Sequence, residues 1–200
     1  MMKISKKRKM RTIRNLLTSS LLLLLLAGCA IGGYRPVAGD YQVEDGFAIL
    51  RSDSLWIAVR PQAYRGSYRD VSSNFFSMYV VVRNLSDNRL RLPEESFSIV
   101  AGGRQHDYVP LDFILGSYQQ TLLLDQWQDP FNADPLLAET RDKNLDAYYE
   151  LMASYFSFGE LQAGASKDGY LFYNRATSRA EEIIFDALGH PVKFTKSKEK

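Results

Sequence analysis

The stretch Phe75-Phe76-Ser77-Met78-Tyr79-Val80-Val81-Val82 decides how this chain folds. Its even positions (Phe76, Met78, Val80, Val82) and its odd ones (Phe75, Tyr79, Val81) are both apolar. Successive side chains of an extended strand point to opposite faces, so a strand of this composition has both faces covered and sits inside a sheet. Arg83 and the run Asn84-Leu85-Ser86-Asp87-Asn88 follow. Side chains of this kind hydrogen-bond their own backbone, and they end the strand in a turn.

Working outward, Leu55, Ile57 and Val59 alternate with Trp56, Ala58 and Arg60, a half-buried strand stopped by Pro61. Downstream, Leu90 and Leu92 make a short strand ahead of Pro93. Phe97 to Val100 runs into Gly102-Gly103, a hairpin turn, with Gln105 to Val109 returning. Gly164 to Gly169 reads as a turn before a strand at Tyr170 to Tyr173. Glu182 to Ala187 and Val192 to Thr195 flank a hairpin at Leu188-Gly189-His190-Pro191. Short strands at this spacing predict a mainly β domain, a sandwich or barrel and not an α/β sheet.

The middle of the chain breaks this rhythm. Leu111 to Leu124 fits strand or helix equally, and Asp125 to Pro135 is an acidic, aromatic loop. Asp134 followed by Pro135 is a helix start, a capping aspartate and then a proline whose missing N–H is not needed there. Leu145, Tyr148, Tyr149, Met152 and Phe156 follow helical spacing and predict one apolar face. The spacing predicts a helical insertion at about 111–158, with its main helix over roughly 135–156.

The chain has one cysteine, Cys29. Before it stand seven basic residues between Lys3 and Arg14, an apolar core from Leu16 to Leu26, and the small residues Ala27 and Gly28. That order is the plan of a secretory signal, here residues 1–28. Its core, about eleven residues, is far short of the roughly twenty a membrane-spanning helix needs. Leu26-Ala27-Gly28-Cys29 resembles the lipobox of bacterial lipoproteins. The resemblance implies that Cys29 is diacylated on sulfur, becomes the new N-terminus after cleavage, and is usually acylated there too. In the sorting pattern of enteric lipoproteins, Ala30 at the next position implies the outer membrane, with the body facing the periplasm.

Removing 28 residues leaves 18 basic against 23 acidic side chains, a net charge of about −5. An acidic body argues against nucleic acid as a partner, which needs a basic footprint. With the lone thiol carrying lipid, no disulfide can form within the chain, and stability must come from packing. Residues 29–46, with Gly32-Gly33, Pro36, Gly39 and Gly46 and no apolar period, read as the lipidated cysteine and a flexible tether. A coil of that length spans on the order of 20–25 Å. Residues 47–196 are the expected body, and 197–200 a basic tail; Lys193 and Lys196 also belong to an end expected to fray.

The run from Tyr79 to Asp87 resembles the strand-Asn-small polar core of immunoglobulin-like domains in bacterial surface lipoproteins. Phe97 with its glycine hairpin, Tyr108-Val109-Pro110, and the Leu-x-x-Gly and Gly-x-x-Phe forms between Leu161 and Phe172 carry the same likeness. It implies an immunoglobulin-like antiparallel β-sandwich with a helical insertion, and no catalytic residues.

The residues themselves offer little chemistry. His106 and Asp107 are neighbours in a predicted strand and point to opposite faces, and His190 lies in a turn. Ser166, in Gly164-Ala165-Ser166-Lys167-Asp168, lacks the second glycine of a nucleophile elbow. HExxH and cysteine-rich metal patterns are absent. Asp125, Asp129, Asn132 and Asp134 gather oxygen ligands that suit Ca²⁺, but their spacing is not that of an EF-hand loop. No catalytic residue, metal or cofactor is therefore expected. What stands out is 25 aromatic side chains. Trp127, in a polar loop beside Gln126, Gln128 and Asp129, suits a protein interface or a sugar. The expectation is a non-enzymatic, lipid-anchored protein that binds another envelope protein through Trp127, Phe131, Tyr148 and Tyr149. The alternatives are a glycan or peptidoglycan module using Trp127 with Gln126 or Asp129, and a hydrolase with a cryptic site.

Overall fold

The structure, a computed structural model, describes residues 33–116 and 135–197. The chain runs through β1 (Tyr34–Pro36), β2 (Gln42–Glu44), β3 (Phe47–Arg51), β4 (Leu55–Pro61), α1 (Arg69–Asn74), β5 (Phe75–Asn84) and β6 (Leu90–Leu92). It continues with β7 (Phe97–Ala101), β8 (Arg104–Asp107), α2 (Pro135–Ser154), β9 (Gly159–Leu161), β10 (Ser166–Asn174), β11 (Glu182–Ala187) and β12 (His190–Lys196). The domain is mainly β. One sheet has the order β1-β12-β11-β7-β8, a second β10-β5-β4-β3-β2, and β6 with β9 forms a two-stranded ribbon. All ladders are antiparallel.

The period-two pattern explains what lies between the two large sheets. Ile57 and Val59 of β4, Phe76, Met78, Val80 and Val82 of β5, and Leu171 and Tyr173 of β10 form one wall of the core. Phe97 and Ile99 of β7, Ile183 and Phe185 of β11, and Val192 and Phe194 of β12 form the other. Fully burying side chains of this kind contributes about 1.5–3 kcal/mol each. The surface ion pairs add far less: Lys193 and Glu182, 2.7 Å apart, are both nearly half exposed, and such pairs are worth about 1 kcal/mol or less.

The odd face of β5 is covered by a third layer. Phe75 and Tyr79, with Tyr170 and Phe172 of β10, pack against Tyr64, Val71 of α1, Ile114 and Leu115 of a helical segment at 111–116, and Leu151 of α2. Apolarity on both parities of Phe75–Val82 therefore reflects real cover on both faces. Gly169 lies against the backbone that leaves the C-terminal end of α2. A Cβ there would stand 2.7 Å from the Phe156 backbone nitrogen and 2.8 Å from the Ser154 carbonyl oxygen.

Four expectations are corrected. Residues 34–44 are not tether. Tyr34 is buried against Phe76, with ring centroids 5.6 Å apart, and β1 pairs with β12. Asp45 and Gly46 form a two-residue hairpin loop between β2 and β3, with φ of 49° and 78°, the combination such turns require. Residues 164–169 are only in part a turn: Ser166 already opens β10, opposite Arg83. The β11–β12 hairpin turns on Leu188-Gly189 alone, with His190 paired to Ala187, so His190 is a strand residue. Lys193 and Lys196 belong to β12, where the Lys196 N–H donates to the Glu181 carbonyl. The helical insertion comprises 111–116 and α2 among the described residues.

Candidate functional site

Two surfaces of the helical layer concentrate chemistry. The first is α2 itself. Its inward arc is Ala147, Tyr148, Leu151 and Tyr155 just beyond its end, and the Tyr155 hydroxyl donates to the Val109 carbonyl at 3.0 Å. Flanking that arc, Leu145, Tyr149 and Met152 are 44%, 58% and 42% exposed, at helical spacings that bring them into one stripe. Phe113, in the segment 111–116, is also exposed. The apolar face expected from Leu145, Tyr148, Tyr149, Met152 and Phe156 is thus divided. Tyr148 faces the sheet, Phe156 leaves the helix for the inter-sheet core, and the other three face water.

The second surface is a recess of about 440 Å³ at the C-terminal end of α2, on the outer face of β4, β5 and β10. Register builds it. Arg60, Tyr79 and Tyr170 are directly opposite one another on three adjacent strands, and Asp168 shares their face two residues before Tyr170. Arg60 Nε donates to Gln62 Oε1 at 2.6 Å, and Gln62 Nε2 donates to the Tyr170 hydroxyl at 2.6 Å. The Tyr79 hydroxyl donates to the Asp168 carboxylate, and the Tyr79 and Tyr170 rings meet edge-on at 5.0 Å. The Arg60 guanidinium lies 4.2 Å over the Phe47 ring. Ala153 and Ser154 close one side. The Tyr64 ring packs edge-on against Tyr170, 5.5 Å between centroids, with its hydroxyl near Ser154.

The electrostatics keep the tyrosines neutral. Burial, then the hydrogen bond and charge of Asp168, push Tyr79 up to about 12, with Arg60 opposing. Burial raises Tyr170 against its Gln62 bond and the charges of Arg60 and Arg65. Arginine stays protonated at any ordinary pH.

Of the residues expected to carry function, Cys29, Trp127 and Phe131 lie outside the described residues, as do Gln126 and Asp129 of the glycan alternative. Tyr148 and Tyr149 are adjacent on α2 with ring centroids 5.7 Å apart, yet only Tyr149 is presented to solvent. Arg60, Gln62, Tyr79, Asp168 and Tyr170 were not singled out from the sequence as a site. Arg60 and Asp168 stand 108 positions apart, and only the strand register brings them to one recess. Among the described residues no group of three or more His, Cys, Asp or Glu is placed to hold a metal ion, and no helix is long and apolar enough to cross a membrane.

No protein-family model matches the chain, and no curated protein does. Among solved structures it is similar to one from Bacillus subtilis subsp. subtilis str. 168, described as a "putative lipoprotein (ycdA)". The identity is 14% and the TM-score 0.39, over 76% of this chain and 39% of that one. This chain therefore spans well under half of that neighbour, and a likeness at that level carries no argument.

Proposed function

We propose that the chain is a lipid-anchored lipoprotein of the bacterial outer membrane, held at Cys29, with an immunoglobulin-like β-sandwich facing the periplasm. Its role is non-enzymatic: it binds another envelope protein through the outer surface of α2. The supporting observation is the exposed stripe of Leu145, Tyr149 and Met152. Single exposed apolar residues are ordinary, but several together mark contact surfaces, and tyrosine and methionine are enriched where proteins meet. Docking would recover about 25 cal/mol for each Å² of apolar surface removed from water.

The test is a photo-crosslinking side chain at position 149 of the full chain, activated in native envelopes. The expected result is one discrete adduct with a single identifiable protein. It should be absent from a control at the exposed Arg91 and lost in a Leu145→Asp, Met152→Asp variant whose thermal unfolding is unchanged. No adduct, or one undiminished by the double substitution, overturns the reading.

A further inference from the structure

The recess beside the end of α2 holds two opposite charges that form no ion pair among the described residues. Arg60 is held by Gln62 Oε1, by a long 3.5 Å contact to the Asp45 carbonyl, and by the Phe47 ring. All three are neutral. Asp168 is held by the neutral Tyr79 hydroxyl, and neither residue joins an ion pair among the described residues. Arg60 and the exposed Asp168 are thus each held in position by neutral partners, an arrangement that can receive charge from a ligand. The cationic side is Arg60, whose guanidinium has planar N–H donors suited to a carboxylate. The anionic side is Asp168, with the faces of tyrosine rings that attract ammonium groups and the carbonyl end of α2, where the helix dipole is negative.

The spacing selects the ligand's length. Arg60 and Asp168 stand on strands two apart and are offset by two residues, about 10 Å across the sheet and about 7 Å along it, which puts their Cα atoms about 12 Å apart. A single amino acid does not cover that span between its own charges, whereas two or three extended residues reach about 7–11 Å. A recess of about 440 Å³ lies within the ordinary range for small-ligand sites.

We propose that this recess binds a short peptide of two or three residues with free termini, its carboxylate on Arg60 and its ammonium between Asp168 and Tyr79. The Gln62–Tyr170 hydrogen bond fixes the floor between the two ends. The site is separate from the exposed stripe of α2, so either proposal can fail without the other.

The experiment is calorimetric titration of the full chain in detergent with trialanine. N-acetylated trialanine, C-amidated trialanine, alanine and the neutral sugar maltotriose are the comparisons. Free trialanine should bind, and blocking either terminus should weaken binding at least about tenfold, with alanine and maltotriose weaker still. Arg60→Gln should remove the penalty for amidation only, and Asp168→Asn the penalty for acetylation only. Arg60→Lys should keep the preference for a free carboxylate. Thermal unfolding of each variant verifies the fold. No binding to the wild-type chain, or equal binding of the doubly blocked peptide or of maltotriose, overturns the proposal. So does binding indifferent to both substitutions in folded variants.

Discussion

Asn84 ties the turn at 86–88 to residues 161–162 from a position with no solvent exposure. Its Nδ2 donates one hydrogen to the Asn88 carbonyl at 2.6 Å and shares the other between the carbonyls of Leu161 and Gln162, both at 3.2 Å. Its Oδ1 accepts from the Ser86 backbone N–H at 3.0 Å and hydroxyl at 2.7 Å. Leaving such buried groups without partners costs roughly 1–3 kcal/mol. Asn84→Ala should therefore lower unfolding stability by about 2–3 kcal/mol in chemical denaturation. Asn84→Asp, which keeps the acceptor and loses the donor, should be nearly as damaging. A change below about 0.5 kcal/mol, the range of ordinary surface substitutions, would remove Asn84 from this role. That Asn84 ends a strand was legible, because Asn-Leu-Ser-Asp-Asn is turn chemistry. Its burial was not, since two of its acceptors lie 77 and 78 positions away.

At the scale of elements, the fold depends on α2 lying close to β10 and on β1 closing the core. Gly169→Ala places a methyl group against backbone at 2.7–2.8 Å, and backbone cannot rotate away. Overpacking of this kind costs about 1–3 kcal/mol. Hydrogen exchange should show the loss first in residues 135–156 and only later in β4 and β5. Uniform weakening of all strands would contradict that order. Tyr34→Ala removes a ring that is 6% exposed from the inter-sheet core, and should cost about 3–5 kcal/mol, the range for large aromatic truncations. A tether residue would cost almost nothing, so denaturant titration of this variant separates the two readings. The interior strands were readable because Leu55–Pro61 alternates and Phe75–Val82 is apolar on both parities. β1 and β2 have three residues each and offer no period. The Asp45-Gly46 dipeptide was the available hairpin signal, while the partner of β1 lies at the far end of the sequence. The helix at 135–154 followed from Asp134-Pro135 and its spacing. Its inner face did not, because a close helix–sheet contact selects by size as well as by hydrophobicity.

For the whole molecule, stability without disulfides rests on buried aromatic residues, several of them tyrosines. Burial is the first cause of the upward shift in Tyr79 and Tyr108, both pushed up to about 12, and it also raises Tyr155 and Tyr173. In the unfolded chain these phenols titrate near pH 10. Between about 10 and 12 the unfolded state has lost protons that the native state still holds, so native stability is whole below 10 and falls as pH rises through that window. Melting temperature followed against pH should decline from about 10 upward, and Tyr79→Phe should flatten the decline. A flat profile through pH 12 would contradict these upward shifts. The two-sheet body was foreseeable from alternation and aromatic content. The recess was not, because it is a product of register among three strands. The proposed address of the molecule, by contrast, rests on one short run ending at Cys29, and the proposed role in the envelope depends on it. Mass spectrometry of the intact native protein tests that claim most directly. The account predicts a chain that begins at Cys29 and carries the added mass of two or three acyl chains with glycerol. A chain that retains residues 1–28 and an unmodified thiol at Cys29 would contradict it.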